Sequence, residues 1–363
     1  MNLLFIALLS LGFLETSGGV GEMIPPTARS MALSEASAGI SDSISGFIET
    51  PALLPLKKGI SLYTSLDLAY HSETHLRWVF DRFDNTVGEE AVYSSAKGYI
   101  LPGTFAFSYA REKMGIGLSY TKKIDLSYDY SRTYRTDFYT VVSKVERKIR
   151  GGVYELGVSF GYKLLDWALV GVSGLYMRGS RSDSIFENYV DSTEISGLSG
   201  NFSGYGGKFS FYLEPIRVAK FAFSYSPKVT LKGDFEETYP EQFSIAFSFR
   251  PPSKWPTEAF MRFIYTDWHK EGINPKRTFA VGFAHYVYGG TEFRFGGRFE
   301  NDPVKEKYWY PIYSLGVGQS FRKFRFDLGV DLKPKDYSFE TESGTERIEE
   351  SITHLRLGIG LNF

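Results

Sequence analysis

The sequence has no cysteine and almost no excess charge of either sign. Its 363 residues include 41 Lys and Arg against 42 Asp and Glu, which gives a formal net charge of −1. Without cysteine, the chain cannot form disulfides, thiolate zinc sites or cysteine nucleophiles. Because the charge is balanced, no global basic field indicates a nucleic-acid partner.

Long apolar runs are nearly absent as well. The one continuous run is MNLLFIALLSLGFL, residues 1–14, which is too short to cross a bilayer as a helix. The small residues of ETSGGVG follow it, so the pattern predicts a secretory signal peptide over residues 1–19. A buried N-terminal helix is the alternative. A mean hydropathy of −0.19 excludes a bundle of membrane helices.

Aromatic residues and glycine are abundant instead. Aromatics make up 17% of the chain, and together with 37 Gly they favour strands and tight turns. From Lys58 onward, short stretches alternate strictly between apolar and polar side chains. In KFRFDLGVDLK, for example, Phe324, Phe326 and Leu328 share one face. A period of two indicates β-strands.

The alternating stretches predict about fourteen strands, most of them close to the 9–11 residues with which a tilted strand crosses a bilayer. They lie near 58–70, 98–110, 114–130, 150–163, 165–179, 203–214, 217–231, 241–250, 257–268, 277–289, 291–300, 310–321, 323–333 and 355–363. Short turns alternate with long charged loops at 71–97, 131–149, 181–202, 232–240, 269–276, 301–309 and 335–349. This asymmetry predicts an all-β fold, a transmembrane up-and-down antiparallel β-barrel of the bacterial outer membrane with both termini periplasmic.

A soluble β-sandwich produces similar alternation. Two features favour the barrel. The apolar faces are rich in aromatics, with Tyr and Trp near strand ends, as interface girdles require. The opposite faces hold Gly, Ser and charged residues, which suit a watery lumen better than a sandwich core.

A segment ahead of the first strand carries a family pattern. Residues 28–55, ARSMALSEASAGISDSISGFIETPALLP, resemble the N-terminal region of the FadL/TodX-like outer-membrane transporters of hydrophobic compounds. The matching positions are Ala28, Arg29, Met31, Ala32, Asp42 and Thr50-Pro51-Ala52-Leu53. The sequence departs from the family at Thr50, where Asn is usual, and at Ser34-Glu35, where the family has a Gly pair.

The resemblance implies a plug, or hatch, over residues 20–57 and a barrel over 58–363. It also implies passive uptake of long-chain fatty acids or other hydrophobic small molecules, without a cofactor. In such a channel the loops capture the solute, a lumen pocket receives it, and a gap beside a kinked third strand releases it sideways. Outer-membrane lipid and lipopolysaccharide are the expected surroundings.

Candidate residues follow from these expectations. Asp42 would tie the hatch down, and Thr50, Pro51, Ala52 and Leu53 would form the plug segment, with Phe47 packed in the lumen as a ligand contact. The loops 71–97 and 181–202 would capture the solute, with Phe80, Phe83 and Phe186 as apolar contacts. Arg294, Arg298 and Arg356 face the predicted lumen, where they bind a ligand carboxylate or form a charge ladder that lines the wall or pins the plug.

The third predicted strand places Lys122 on the lipid-facing phase, where a lysine in hydrocarbon costs about 2–4 kcal/mol. Either the wall breaks at Lys122-Lys123, which would form the lateral opening, or Lys122 snorkels to the interface. No catalytic or metal site is expected, because the five His stand in no nucleophile or metal motif; His71 and His75 fall in a predicted loop. The alternatives to a channel are a scaffold or shuttle for type IX-like secretion, with a secreted-protein partner, and a barrel enzyme.

Overall fold

The computed structural model describes residues 22–37, 40, 46–83, 85–135, 141–189, 192–234, 236–252, 256–304, 307–341 and 344–363. The predicted signal peptide over 1–19 and Asp42 lie outside the described residues. The elements are, in order, β1 (Glu22–Met23), α1 (Ala28–Ala32), two 3-10 helices (Gly46–Ile48 and Pro51–Leu56), β2 (Gly59–Phe80), β3 (Thr86–Arg111), β4 (Met114–Asp125), β5 (Tyr128–Arg135), β6 (Val141–Leu165), β7 (Ala168–Tyr189), β8 (Thr193–Ile216), β9 (Ala219–Ser226), β10 (Val229–Gly233), β11 (Glu237–Tyr239), β12 (Glu241–Phe249), β13 (Thr257–Asp267), β14 (Lys276–Val287), β15 (Thr291–Asn301), β16 (Trp309–Phe321), β17 (Phe324–Thr341) and β18 (Gly344–Asn362).

Strands β2 to β18 close into one antiparallel barrel. Neighbours in the chain pair around the wall, and β18 pairs with β2 from Glu346–Arg77 to Asn362–Ser61. Three wall strands are broken in two, β4/β5, β9/β10 and β11/β12, so the described residues form a wall of fourteen strands. The predicted fold and strand count are confirmed. Pro227 and Pro240 lie at two of the breaks, where the missing N–H interrupts the ladder.

Several predicted loops are wrong. The regions 71–97, 131–149, 181–202 and 335–349 are mostly strand, because β2, β3, β6, β7 and β8 run for 22 to 26 residues and extend as tall hairpins. His71 and His75 therefore lie on β2. A ladder of backbone hydrogen bonds needs no apolar face. In the outer parts of these strands polar side chains occur on both faces and apolar residues are scattered, so the strict alternation that marks a strand disappears.

The outward face of the wall is apolar and aromatic. Leu315, Phe293 and Phe279 are more than half exposed there, and Tyr176 and Tyr205 form an aromatic pair on neighbouring strands with ring centroids 5.2 Å apart. The inward phase carries Ser, Gly and charged side chains, as a transmembrane barrel requires. Among the described residues, no helix is both long and apolar enough to cross a membrane.

The described part of the N-terminal segment, residues 22–37, 40 and 46–57, packs against the inward face of the wall. Thr27 caps α1, and its hydroxyl accepts a hydrogen bond from the backbone N–H of Ser30 at 3.0 Å. A Cβ built on Gly329 of β17 would lie 2.3 Å from the carbonyl oxygen of Ala28. Glycine at this inward position lets the helix approach the sheet backbone directly.

Candidate functional site

Glycines on three neighbouring strands receive the second half of the N-terminal segment. A Cβ on Gly171 of β7 would lie 2.2 Å from the backbone nitrogen of Ala52, and one on Gly117 of β4 would lie 2.6 Å from the ring of Phe47. Gly161 of β6 meets Pro51 in the same way, at 2.6 Å. Any side chain at these positions would displace the segment from the wall.

The predicted plug residues, Thr50 to Leu53, are buried. Pro51 begins the second 3-10 helix, where its missing N–H costs no hydrogen bond. The backbone N–H of Ala52 donates to the hydroxyl of Ser210 on β8 at 2.9 Å, and that of Thr50 donates to the carbonyl of Gly46 at 3.0 Å. The first hydrogen bond joins the backbone of the segment to the wall, and the second lies within the segment. A gating role for the segment stays a prediction.

The three predicted lumen arginines are buried and paired with carboxylates of this chain. Arg294 lies 2.5 Å from Asp327. Arg298 lies 2.9 Å from Glu300 and 3.3 Å from Asp331. These side chains are at most 5% exposed. A buried guanidinium is stable only where carboxylates compensate its charge, which is the arrangement seen here.

The same row of charges reaches the N-terminal segment. Arg29 of α1 lies 2.7 Å from Glu292 on β15. Arg356 of β18 pairs with Asp67 of β2 at 2.7 Å, and its other terminal nitrogen donates to the carbonyl of Pro25. This is the geometry of a charge ladder that fastens the segment to the wall.

The register of the third wall strand shifts between Lys122 and Ile124. Lys122 and Lys123 are both buried, at 5% and 6% exposure. The ammonium of Lys122 pairs with Asp125 at 2.7 Å, and that of Lys123 pairs with Glu49 of the N-terminal segment at 2.7 Å. Neither lysine extends to the interface as a snorkelling side chain would, so β4 bends inward here.

Glu49 joins this bend to the opposite wall. It lies 2.7 Å from Lys123 and 3.3 Å from Arg262 of β13. Burial raises the pKa of Glu49, but the charges of Lys123, Lys208 and Arg262 outweigh burial and hold that pKa well below its usual range. Sequence reasoning missed Glu49. The available signal was its position as the only charged residue in GFIETPALLP.

A gap in the backbone ladder lies between β3 and the β4/β5 strand. The β3–β4 ladder runs only from Arg111–Met114 to Phe105–Tyr120. Beyond that point β4 pairs with β1 instead, at Met23–Ile124 and Glu22–Asp125, while β5 pairs with β6. Within the part of the chain that the structure describes, β3 and β5 share no ladder.

Side chains alone connect β3 and β5 above the gap. Asp129 of β5 accepts a hydrogen bond from the hydroxyl of Tyr99 at 3.1 Å and lies 3.3 Å from the ammonium of Lys97. Arg132 of β5 reaches past β3 to β18, where it binds both oxygens of Glu346 at 3.1 and 2.7 Å. We call β5 the strap: it keeps its backbone ladder with β6, and side chains hold it to β2, β3 and β18.

A buried histidine lies at the end of the strap. His75 lies 2.6 Å from Glu73 and 3.4 Å from Glu346. It is five residues beyond Tyr70, outside the bilayer-spanning part of β2. Burial lowers the pKa of His75, but hydrogen bonds to Glu346 and Glu73 outweigh it and raise the pKa to about 9. Burial likewise raises the pKa of Glu346, and hydrogen bonds from His75 and Arg132 lower it to about 2.

The largest apolar cluster of the described residues lies in the lumen beside the gap. Its members come from eight wall strands and are all buried: Tyr93, Ile124, Leu126, Tyr128, Tyr130, Ile149, Val153, Leu175, Met177, Phe202, Val229, Leu231, Tyr239 and Ile352. Met23 of β1 packs against it. A cavity of about 30 Å³ between Val153, Phe202 and Leu231 holds little more than one water molecule, so a larger solute must push side chains apart.

The predicted ligand-contact phenylalanines lie elsewhere. Phe47 packs with Ile48 and Leu54 in a separate cluster below. Phe80 and Phe83 are 57% and 68% exposed at the tip of the β2–β3 hairpin, and Phe186 is half-buried on β7. The structure does not bring Phe80, Phe83 or Phe186 together with the lumen cluster. No group of metal-ligating side chains is found within the described ranges.

Solved structures share this architecture at low sequence identity. A Pseudomonas aeruginosa FadL homologue is 14% identical, with a TM-score of 0.70, and the match covers 94% of this chain and 100% of that one. The Pseudomonas putida toluene transporter TodX is 12% identical, with a TM-score of 0.68 and coverage of 95% and 100%. The chain has the FadL/TodX-like fold.

The Ralstonia pickettii toluene transporter TbuX, 14% identical, has the FadL/TodX-like fold as well, with a TM-score of 0.59 and coverage of 92% of this chain and 98% of that one. At these identities the likeness establishes the fold and leaves the solute of this protein open. No protein-family model and no curated protein matches the chain.

Proposed function

We propose that this protein is an outer-membrane channel for the passive uptake of hydrophobic small molecules, with both termini on the periplasmic side. The observation that carries the proposal is the apolar lumen cluster, which borders the gap through Ile124 and Leu126. Moving an apolar solute from water into such a cluster gains about 25 cal/mol per Å² of buried surface. Similar structures whose names state a solute include toluene transporters and a monoaromatic hydrocarbon channel.

The proposed path has three parts. The tall hairpins bring the solute to the lumen cluster, with Phe80, Phe83 and Phe186 as outer contacts. The N-terminal segment, including Thr50 to Leu53, blocks the axial route. The inward bend at Lys122-Lys123 opens the wall, so that the solute leaves sideways. Arg294, Arg298 and Arg356 act as the charge ladder in this proposal, because each guanidinium is buried and already paired with a carboxylate of the chain.

Narrowing the lumen tests the solute site. Val153 of β6 is 5% exposed within the cluster, whereas Val158 on the same strand is 63% exposed on the outward face. We expect Val153→Trp to reduce uptake of radiolabelled toluene or oleate by cells expressing the protein, and Val158→Trp to leave uptake unchanged. Equal uptake by all three proteins, at equal surface amounts, would contradict the proposal.

Two engineered disulfides distinguish the exit routes, and the absence of native cysteine makes them unambiguous. The hydroxyls of Thr104 on β3 and Thr121 on β4 lie 2.8 Å apart at the lower edge of the gap. Those of Ser34 and Ser314 lie 2.7 Å apart between the N-terminal segment and β16. Both pairs are close enough for cysteines to oxidise.

A lateral exit requires that oxidised Thr104→Cys/Thr121→Cys lose uptake and regain it on reduction, while oxidised Ser34→Cys/Ser314→Cys keeps uptake. The opposite result would show that the solute passes where the N-terminal segment lies. A scaffold for a secreted protein is the competing hypothesis. It requires no lumen site, so loss of uptake in Val153→Trp with normal surface amounts would argue against it.

A further inference from the structure

Three exposed cations lie close together at the short-turn end of the barrel. Arg322 and Lys323 form the β16–β17 turn, and Lys58 directly precedes β2. Only the end of β18 separates them, because the backbone N–H of Asn362 donates to the carbonyl of Lys323 at 2.9 Å and Asn362 is the register partner of Ser61 on β2. Two strand spacings are about 10 Å, so the three residues form one basic patch.

The basic patch lies over aromatic rings of the lipid-facing surface. Phe321 and Phe363 are 63% and 60% exposed on the outward face of the wall. The guanidinium of Arg322 lies 5.7 Å from the ring centre of Phe321, and the ammonium of Lys323 lies 5.2 Å from that of Phe363. These cation–aromatic contacts hold both positive charges on the lipid side of the wall.

A polar row marks the level at which the hydrocarbon ends near the patch. Gln319 follows Leu315 and Val317 on the outward phase of β16, and its register partner on β15 is Thr291. Phe321 is the next outward residue toward the turn. The basic patch therefore lies at the level of the lipid head groups, where aromatic rings and cations meet the bilayer surface.

The chain does not neutralise this patch. Among the residues that the structure describes, no carboxylate forms an ion pair with any of its three cations. Other short turns differ, since Arg111 has Glu112 at 3.8 Å and Lys163 has Asp166 at 2.9 Å. The patch thus offers three positive charges to an anion from outside the chain.

We propose that the basic patch binds an anionic phospholipid of the leaflet that the short turns face. The phosphate lies against Arg322 and Lys323, and the acyl chains descend along Phe321 and the outward face of β17. Lys and Arg at a bilayer surface attract anionic lipid head groups, and Arg matches phosphate oxygens with paired donors. An acidic peptide would match the charges but leave the aromatic rings uncovered. The site requires only that the barrel stand in a membrane and does not depend on the solute.

The probe is dioleoyl phosphatidylglycerol, which is anionic, and the comparison is dioleoyl phosphatidylcholine, which has the same acyl chains and no net charge. Each lipid is titrated into full-length protein in nonionic detergent and followed by native mass spectrometry. For Arg322→Gln/Lys323→Gln we expect about a tenfold loss of phosphatidylglycerol affinity, because two of the three charges of the patch are removed. The affinity for phosphatidylcholine should change little.

The matched control is Arg82→Gln/Lys148→Gln. Arg82 is exposed at the tip of the β2–β3 hairpin, where its guanidinium lies 4.7 Å from the ring centre of Phe83, and Lys148 is exposed on β6. The control removes the same charge and the same kind of cation–aromatic contact in the tall hairpins, away from the short turns. It is expected to bind phosphatidylglycerol as wild type does.

Phe321→Ser removes part of the aromatic surface and should weaken both lipids while keeping the preference for the anionic one. The heat-induced shift of folded barrels on gels verifies that each variant is folded. Wild-type affinity in the double variant, equal binding of the two lipids by wild type, or an equal loss in the control variant would each overturn the proposal. Displacement of phosphatidylglycerol by an equimolar glutamate decapeptide would overturn it as well, in favour of an acidic protein segment.

Discussion

The β12–β18 side of the barrel and its β3–β5 side are held together differently. From β12 to β18 the antiparallel registers run without a shift, and buried ion pairs line the inward face. On the other side the β3–β4 ladder stops at Phe105–Tyr120, the β4–β6 register shifts, and side chains hold the strap.

This difference determines which part of the wall can move. Opening the β12–β18 side would break several backbone hydrogen bonds at once, each with a partner left unpaired in lipid. Opening the β3–β5 side breaks only side-chain contacts, which contribute about 1 kcal/mol each on a net basis. The proposed channel would therefore widen for its solute between β3 and β5, while the rest of the barrel keeps its shape.

The largest expected effect is on the β12–β18 side. Replacing Arg294 with Met leaves the buried carboxylate of Asp327 without its closest cation and removes one of the three cations around Glu292. We therefore expect the free energy of unfolding to fall by about 3–5 kcal/mol. Urea unfolding in lipid vesicles measures it. Arg111→Met is the control, since that side chain is 77% exposed and its loss is expected to change stability by less than about 0.5 kcal/mol. Equal effects of the two substitutions would show that the charge ladder does not contribute to stability.

The second effect concerns the close contact between the N-terminal segment and the wall. Gly171→Ala places a Cβ 2.2 Å from the backbone nitrogen of Ala52, and we expect a loss of about 1–3 kcal/mol with greater protease access to the segment. Gly174→Ala on the same strand meets nothing within 4 Å and should change neither measurement. If the two alanine variants behaved alike, the close contact at Gly171 would have no energetic role.

The third effect is confined to the strap. Arg132→Gln removes the paired hydrogen bonds to Glu346, so the local opening free energy of β5 should fall by about 1 kcal/mol while global unfolding is unchanged. Hydrogen exchange of β5 amides measures it. Arg77→Gln, whose partner Glu90 is 42% exposed, is the matched control. Faster exchange in β13 as well as β5 would show that the two sides are not independent.

The sequence was sufficient to predict the barrel and its strand number, because a wall that faces lipid outside and polar groups inside must alternate. It also placed Arg294, Arg298 and Arg356 on the inward phase. The cross-strand partners of those arginines were not predictable, since Asp327, Asp331 and Asp67 become their neighbours only through the register of the strands.

The strand ends and the strap could not be predicted from the sequence, for a different reason. In the tall hairpins the side chains still alternate between the two faces of each strand, but polar and apolar residues do not alternate strictly. Residues such as His75 were therefore assigned to a loop. The strap depends on Arg132 meeting Glu346, two residues more than 200 positions apart, and no local pattern marks that contact. Charged residues inside predicted strands were the available signal at Lys122-Lys123.

The smallest expected effect is the response of the strap to pH. The raised pKa of His75, about 9, means that its charged form stabilises the strap fully below the unfolded value of about 6.5, and that this contribution is lost as the pH rises through 9. The lowered pKa of Glu346, about 2, means that its contribution is present above about 4.5 and is lost as the pH falls towards 2. The strap should therefore be held best between about pH 4.5 and 6.5.

Spin labels on cysteines introduced at Ala96 of β3 and Thr133 of β5 report the distance between the two strands. The distribution of this distance should broaden above pH 9. His75→Gln should abolish the broadening above pH 9 and keep the acid transition. The same substitution distinguishes the titration of His75 from that of Glu350, whose pKa burial raises to about 7. A distance distribution that stays constant from pH 5 to 10 would show that backbone pairing of β5 with β6, rather than the charges around His75, fixes the strap.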